Sequence, residues 1–394
     1  VINIDELSKS YNFSIDALAH LKAVYGDELE KVIRSLKSPG KRYYFRVNTL
    51  KATPDEVIER FRSKGFNVKK HPKIEEALYL PVEGPFKVPV VDKRVVVDKF
   101  TAESVLQGAH VYAPGIVRCS KIRVNDEVAI TDDFGQIVAA GVARMSETEI
   151  LTRREGLAVE VTHPTYKVPS LRETEEFKEG LIYPQSFPAI VTCKVLDPQP
   201  GEKIADIAAS PGGKTTAIAQ LMMNEGLIYA VDRNREKMEK IKESVNRLGV
   251  KNVRLICHDA RYLNVDFPEI RVKRTLVDPP CSALGVRPKL YEKAESKEIK
   301  ALAEYQKQFM KSAAKITESK GIIVYSTCTM TMDENEEVVK FAVEECGLEV
   351  EEQEYFFGSP GFESIFPQAS LTQRFHPHIH EDCPGYFIAK LKKR

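Results

Sequence analysis

Hydrophobic spacing divides the chain into three textures. Residues 13 to 37 place Leu18, Leu21, Leu29, Val32, Ile33 and Leu36 at helix-like intervals, which predicts a helical segment. Ser38-Pro39-Gly40 breaks it. Tyr43 to Asn48 reads as a strand. Thr53-Pro54-Asp55 opens a helix running to about Lys64, with Thr53 as N-cap and Pro54 at the first helical position. Gly65 ends that helix, and Asn67-Val68-Lys69 begins another strand, so the first segment predicts a small β-α-β unit.

From Arg94 the strands become short and the turns frequent: Gly108, Pro114-Gly115, Asn125-Asp126, Asp132-Asp133 and Gly135. Val128-Ala129-Ile130 and the run Ile137 to Val142 flank an Asp-rich turn and predict a hairpin. Short strands at this spacing, continuing to about Pro169, predict a compact barrel.

From Lys203 the pattern alternates strand and helix at long spacing, the mark of a parallel α/β sheet. Strands are predicted over 203–207, 227–231, 253–257, 275–277 and 321–326, with a last one over 385–390. Helices are predicted over 215–223, 235–248, about 295–317 and 334–345. The expected units are residues 1–93, an inserted barrel over 94–169 and an α/β domain over 181–394, with 157–180 completing the first unit.

The bulk numbers narrow the class. The chain has 394 residues, room for two or three domains, and contains no apolar run long enough to span a bilayer. Its start, Val1 to Glu6, has no basic segment before an apolar one, so no leader is expected and the cytoplasm is the expected location. Fifty-eight basic and 57 acidic residues leave a net charge of +1, so any affinity for nucleic acid must come from clustering. Seven scattered cysteines form neither a disulfide framework nor CxxC pairs, and no metal is expected.

The chemistry concentrates at strand ends of the third segment. The loop Asp206 to Thr215 contains Ala208, Ala209, Ser210, Pro211, Gly212, Gly213 and Lys214. Small residues there admit a ligand to the backbone, and the next helix offers free N–H groups. A phosphate loop is excluded by spacing, because GxxxxGK[ST] requires glycine where Ala208 stands. A nucleoside-bearing cofactor and a plain tight turn remain. Asp232 and Asp259 follow the next two strands, where acids can take ribose hydroxyls and an adenine amino group. A dinucleotide fold would share these features.

Two cysteines then separate the possibilities. One strand ends in Asp278-Pro279-Pro280-Cys281-Ser282, and its neighbour in Ser326-Thr327-Cys328-Thr329. Amino-group methylases carry an aromatic where Cys281 stands. Buried structural cysteine is the alternative, but both lie in loops at the carboxyl ends of strands, where α/β sheets place their sites. Carbon 5 of cytosine is a poor nucleophile until a thiolate adds to carbon 6. That reaction needs an activated cysteine and an acid near ring nitrogen 3, here Asp278. A second thiol or water can remove the carbon 5 proton afterwards.

Asp206 to Thr215, Asp278 to Ser282, and Ser326 to Thr329 followed by Glu334-Asn335-Glu336 resemble the NOP2/Sun family of RNA cytosine-5 methyltransferases. The resemblance covers residues 181 to 394 and departs at Ser210, where alanine is usual. It implies a Rossmann-like, mostly parallel α/β fold with S-adenosylmethionine as cofactor. It further implies Cys328 as nucleophile, Cys281 assisting release, Asp278 on the cytosine, and Lys214 beside the methionine end and the base. Asp232 and Asp259 would be its ribose and adenine contacts. Arg374 to His378 resembles a late motif that orders the site and contacts RNA.

Upstream, Arg46 to Leu50 resembles the family's small α+β unit, similar to an RNA-recognition fold. Ala102 to Val111, Pro114-Gly115-Ile116 and Asn125 to Val128 resemble a PUA domain, an RNA-binding β-barrel. Arg118, Lys121, Arg123, Arg144, Arg153 and Arg154 are candidate phosphate contacts. A PUA domain in this position resembles the sixth subfamily, found in archaea and eukaryotes. That implies tRNA as partner, bound at its acceptor stem and CCA end, with no membrane and no obligate protein partner. The same chemistry on ribosomal RNA, and a non-catalytic RNA-binding factor on this scaffold, are the alternatives.

Overall fold

The computed structural model describes residues 3–380 and 382–394; Val1 and Ile2, part of the run read for a leader, lie outside them. An eight-strand path dominates the fold, in the order 253–257, 227–232, 203–206, 272–277, 317–327, 386–393, 373–375, 359–360. The first five strands are parallel and the sixth is antiparallel to the fifth. Strand 348–351 pairs with 386–393 off this path.

Side-chain alternation fills both faces. Ile204, Ile228, Leu276 and Val324 share one core with helices Phe187–Leu196 and Gly213–Leu221. Ala205, Tyr229, Val277 and Tyr325 share the other with helices Ser296–Ile316 and Glu336–Glu345. Every loop at the carboxyl ends of the parallel strands therefore opens on one edge. Helix Phe187–Leu196 has no polar stripe, since all of it but Lys194 is buried. Periodicity gave no sign of it for that reason.

Two smaller units dock on this domain. A four-stranded antiparallel sheet runs 182–184, 42–47, 77–81, 69–70. Its completing strand is Ile182–Pro184, and from the expected 157–180 segment Leu171 and Phe177 join the core of this unit. Leu157–Pro164 instead pairs with Ile137–Ala143 and buries Ala158, Val159 and Val161 in the inserted domain. That domain is a six-stranded sheet around one apolar core. The helical segment expected over 13–37 is two helices, Ile15–Tyr25 and Leu29–Leu36, joined by a 3-10 turn over Gly26–Glu28, where the φ of +51° at Gly26 ends the α-helix. A further helix, Ile4–Tyr11, precedes them.

The docking is apolar and specific. Leu290 and Tyr291 of the large domain enter the inserted domain's core. Leu284, Ile299 and Met330 pack with the N-terminal helices. Arg46, only 2% exposed, donates to the Gly213 carbonyl at 3.2 Å and to Thr216 Oγ1 at 3.1 Å. Asn48 Nδ2 donates to the carbonyls of Gly180 and Leu248, both at 2.8 Å. Arg46 thus fastens the first unit to the glycine loop, and Asn48 fastens it to the end of helix Arg235–Leu248. Among the described residues no helix is long and apolar enough to cross a membrane.

Candidate active site

The glycine loop leaves the strand at Asp206, which is buried and accepts from Thr215 Oγ1 at 2.6 Å. Burial pushes its carboxyl up to about 7. Gly212 caps the following helix at φ +98°, and a Cβ on Gly213 would lie 2.7 Å from the Tyr183 ring. Both positions therefore require glycine.

Beside this loop lies a cavity of about 230 Å³. Ile207, Val231, Ala260 and Phe309 give it apolar walls, and Asp232 and Asp259 contribute carboxylates. Asp232 accepts from the backbone N–H of Ser210 and Asn234 at 3.4 and 3.3 Å. Asp259 is held by the Arg261 guanidinium at 2.6 to 3.2 Å, and that hydrogen bonding draws its carboxyl below the usual range. At the far end stand Asp278, Cys281 and Cys328. An apolar slot with acids at successive strand ends and a thiol pair at its mouth fits a nucleoside cofactor that needs no phosphate cradle.

The reacting end is compact. The sulfurs of Cys281 and Cys328 are 3.4 Å apart. Lys214 Nζ lies 2.5 Å from Asp278 Oδ2, and Ser326 Oγ donates to Asp278 Oδ1 at 2.8 Å. The Cys281 hydrogen bond draws the Cys328 thiol down against the opposing effect of burial, and Lys214 assists. The same bond, with burial and the Glu334 charge, holds the Cys281 thiol well up. Burial pulls Lys214 down, but the Asp278 carboxylate keeps its ammonium well above the ordinary range. The two thiols are thus pushed in opposite directions, Cys328 towards the thiolate and Cys281 away from it.

Residues beyond the motif cysteines hold the two loops together. Fully buried Glu334 accepts from Ser282 N at 2.8 Å, Ser282 Oγ at 2.5 Å, Thr331 Oγ1 at 2.9 Å and Gln306 Nε2 at 3.0 Å. Gln306 Nε2 also donates to the Pro280 carbonyl at 3.0 Å, and Ser282 Oγ lies 2.7 Å from Thr329 Oγ1. Glu334 thus ties the Cys281 loop to the Cys328 loop. Its position in the Glu334-Asn335-Glu336 run was visible in sequence, but its partner Gln306, inside a long helix, carried no signal.

Arg374 has the ordering role its motif implies but not the exposure that an RNA contact needs. It is 1% exposed and binds Glu336 side-on through its Nε and Nη2 groups, with Nε to Oε1 at 2.5 Å, and Nη1 donates to the Met330 carbonyl at 2.9 Å. A side chain so enclosed orders the loop after Cys328 and is not presented to RNA. In the inserted domain, Arg118, Lys121, Arg123 and Arg153 are exposed. Arg144 is bonded to Glu160 and Asn125, and Arg154 to the carbonyls of Ile116 and Pro114. These two hold the domain's own surface. Among the described residues no cluster of acidic, histidine or cysteine side chains could hold a metal ion.

Known proteins match along the whole chain. Residues 193–392 match the family described as 16S rRNA methyltransferase RsmB/F. Residues 93–165 match the PUA domain, and 17–87 the ferredoxin-like domain of RsmF/B-like methyltransferases. The tRNA (cytosine(72)-C(5))-methyltransferase of Pyrococcus horikoshii is 44% identical over 385 residues, 95% of each chain. The human tRNA (cytosine(72)-C(5))-methyltransferase NSUN6 is 31% identical, over 93% of this chain and 91% of its own. The crystal structure of NSun6 from Pyrococcus horikoshii with SFG superposes with a TM-score of 0.91 at 44% identity, covering 97% of this chain and 99% of that one.

Proposed function

The chain belongs to the RsmB/F methyltransferase family, and on that premise we propose that it methylates carbon 5 of a cytosine at the acceptor end of tRNA. The single observation that carries the chemistry is the 3.4 Å thiol pair beside the Lys214–Asp278 ion pair. S-adenosylmethionine, the cofactor, supplies an electrophilic methyl group when bound. Asp232 and Asp259 would hold its ribose and adenine, and the loop from Ala208 to Lys214 its methionine end.

The protein's own groups do the rest. The Cys328 thiolate forms a bond to carbon 6, and the ring's electron pair shifts towards carbon 5. Ring nitrogen 3 takes up a proton as the adduct forms, and Asp278, gripped by Lys214 and Ser326, is the group placed to pass that proton from Lys214. After carbon 5 is methylated its proton must leave, so that the pair returns to the carbon 5–carbon 6 bond and expels Cys328. Cys281 is suited to that step. Its thiol is held up chiefly by the hydrogen bond to Cys328, and bonding Cys328 to carbon 6 removes that cause. With that cause gone Cys281 can release its own proton to solvent, and the resulting thiolate is the base that takes the carbon 5 proton.

The target is the cytosine paired with the first nucleotide, since a terminal pair costs least to open. The PUA match and the tRNA-acting relatives support this choice over ribosomal RNA. The assembled Lys214–Asp278–Cys281–Cys328 group speaks against a non-catalytic factor. The expected location is the cytoplasm. Bisulfite sequencing of tRNA incubated with the protein and S-adenosylmethionine tests the proposal. The expected result is one protected cytosine at the acceptor end; protection elsewhere or nowhere overturns it.

A further inference from the structure

Gln185 follows strand Ile182–Pro184 and precedes the helix at Phe187. Its backbone N–H is used by the Tyr44 carbonyl at 3.3 Å. Its side chain is only 9% exposed, yet Oε1 has no hydrogen-bond partner among the described residues. A buried amide oxygen left unsatisfied is costly, and such groups call for an explanation.

Its location supplies one. Gln185 lines two adjoining cavities: one of about 400 Å³ reaching Cys328 and Tyr386, and one of about 260 Å³ reaching Lys214 and Asp278. It therefore stands where the nucleophile's chamber meets that of the acid. A cytosine with carbon 6 on Cys328 points the opposite edge of its ring, nitrogen 3 and the exocyclic amino group, away from the sulfur. Nitrogen 3 belongs to Asp278 in the reading proposed above. The amino group beside it needs an acceptor. Both Asp278 oxygens already accept, one from Lys214 and one from Ser326. Gln185 lines this wall and carries a buried acceptor, Oε1, that has no donor among the described residues.

The geometry points to Gln185 as the specificity-determining residue that accepts a hydrogen bond from the exocyclic amino group of the target cytosine. A uracil would place its carbonyl oxygen against Oε1, acceptor facing acceptor. The amide thus favours cytosine by attraction and disfavours uracil by repulsion.

This inference rests on the proposed cytosine methylation, and the test separates the two. Two tRNA substrates are compared, one with cytosine at the target and one with pyrimidin-2-one, which lacks the amino group. The readout is the ratio of kcat/KM on the two RNAs, which does not depend on how much of a variant is folded. Gln185→Leu is expected to lower the cytosine-to-pyrimidinone ratio by about tenfold or more, the effect of one buried hydrogen bond. Gln185→Glu keeps the acceptor and is expected to hold the ratio within about threefold of wild type. An unchanged ratio in Gln185→Leu, or an equal fall in both variants, overturns the assignment. If the wild-type protein methylates no cytosine in either assay, the proposed function fails and this inference falls with it.

Discussion

The pocket around Cys328 and the outer face of the inserted domain hold charge in opposite ways. In the pocket, ionic groups are enclosed and nearly every one is matched. Asp278 has Lys214 and Ser326, Glu334 has four neutral donors, and Arg374 has Glu336. On the outer face, Arg118, Lys121 and Arg123 are exposed, and Arg153 lies 3.9 Å from Glu149. Enclosed charge must be positioned, because an unpaired buried ion is expensive; exposed charge need not be. The pocket is therefore built for geometry and the outer face for attraction. Changes in the pocket should alter rate with little effect on RNA affinity, and changes outside should do the reverse.

The largest effect is expected from Cys328→Ala, which should remove methyl transfer while tRNA binding, measured by filter retention, stays within about threefold. Its neighbour should behave differently. Cys281→Ala should leave the adduct able to form but slow to resolve, seen as a protein–RNA band that survives denaturing gels. Absence of that band would reduce Cys281 to a passive neighbour.

Next comes Glu334→Ala, which strands four donors and frees the two cysteine loops. A displacement of about 1 Å at a reacting centre costs roughly a hundredfold in rate. We expect kcat to fall by about that factor with cofactor affinity little changed. A loss confined to KM would contradict the clamping role.

On the other side of the comparison, replacing Arg118, Lys121 and Arg123 together with alanine should weaken tRNA binding by about tenfold and flatten its salt dependence. The saturated rate should remain. Arg144→Ala and Arg154→Ala should affect the domain's stability more than its affinity, because those side chains are already bonded.

The smallest effect concerns Asp206. Its folded carboxyl titrates near 7, above the ordinary 3.8, so its contribution to stability is full below about pH 4 and is lost as pH rises through 7. Asp206→Asn should flatten that decline and raise Tm above pH 7 by about 2 °C or more relative to wild type. Parallel Tm–pH curves would show that Asp206 does not titrate there.

The same contrast explains what could be read from sequence. Helix Arg235–Leu248 matches its predicted bounds because it has one buried face, and strand Val253–Cys257 matches its bounds as well. Helix Phe187–Leu196 was silent because both its faces are buried. The strand completing the first sheet, Ile182–Pro184, is three residues long and pairs across most of the inserted domain, too short and too distant to predict. At the site, the residues of the cysteine loops were legible because type and spacing encode reactivity. Gln185 and Gln306 were not, since an amide acquires its meaning only from what encloses it, and Arg46 stood out only as part of a motif, without its contact to the glycine loop. Arg374 was misread for the same reason: nothing in its motif says whether the guanidinium faces RNA or Glu336.

The central claim is that Cys328 is the residue that bonds the target base. It is tested most directly with tRNA carrying 5-fluorocytosine at the acceptor-end position, incubated with the wild-type protein and S-adenosylmethionine. Fluorine at carbon 5 cannot leave as a proton does, so the adduct persists and its peptide can be identified by mass spectrometry. The account predicts a methylated nucleotide attached to Cys328. Attachment at Cys281, or no covalent species while unmodified tRNA is still methylated, would contradict it.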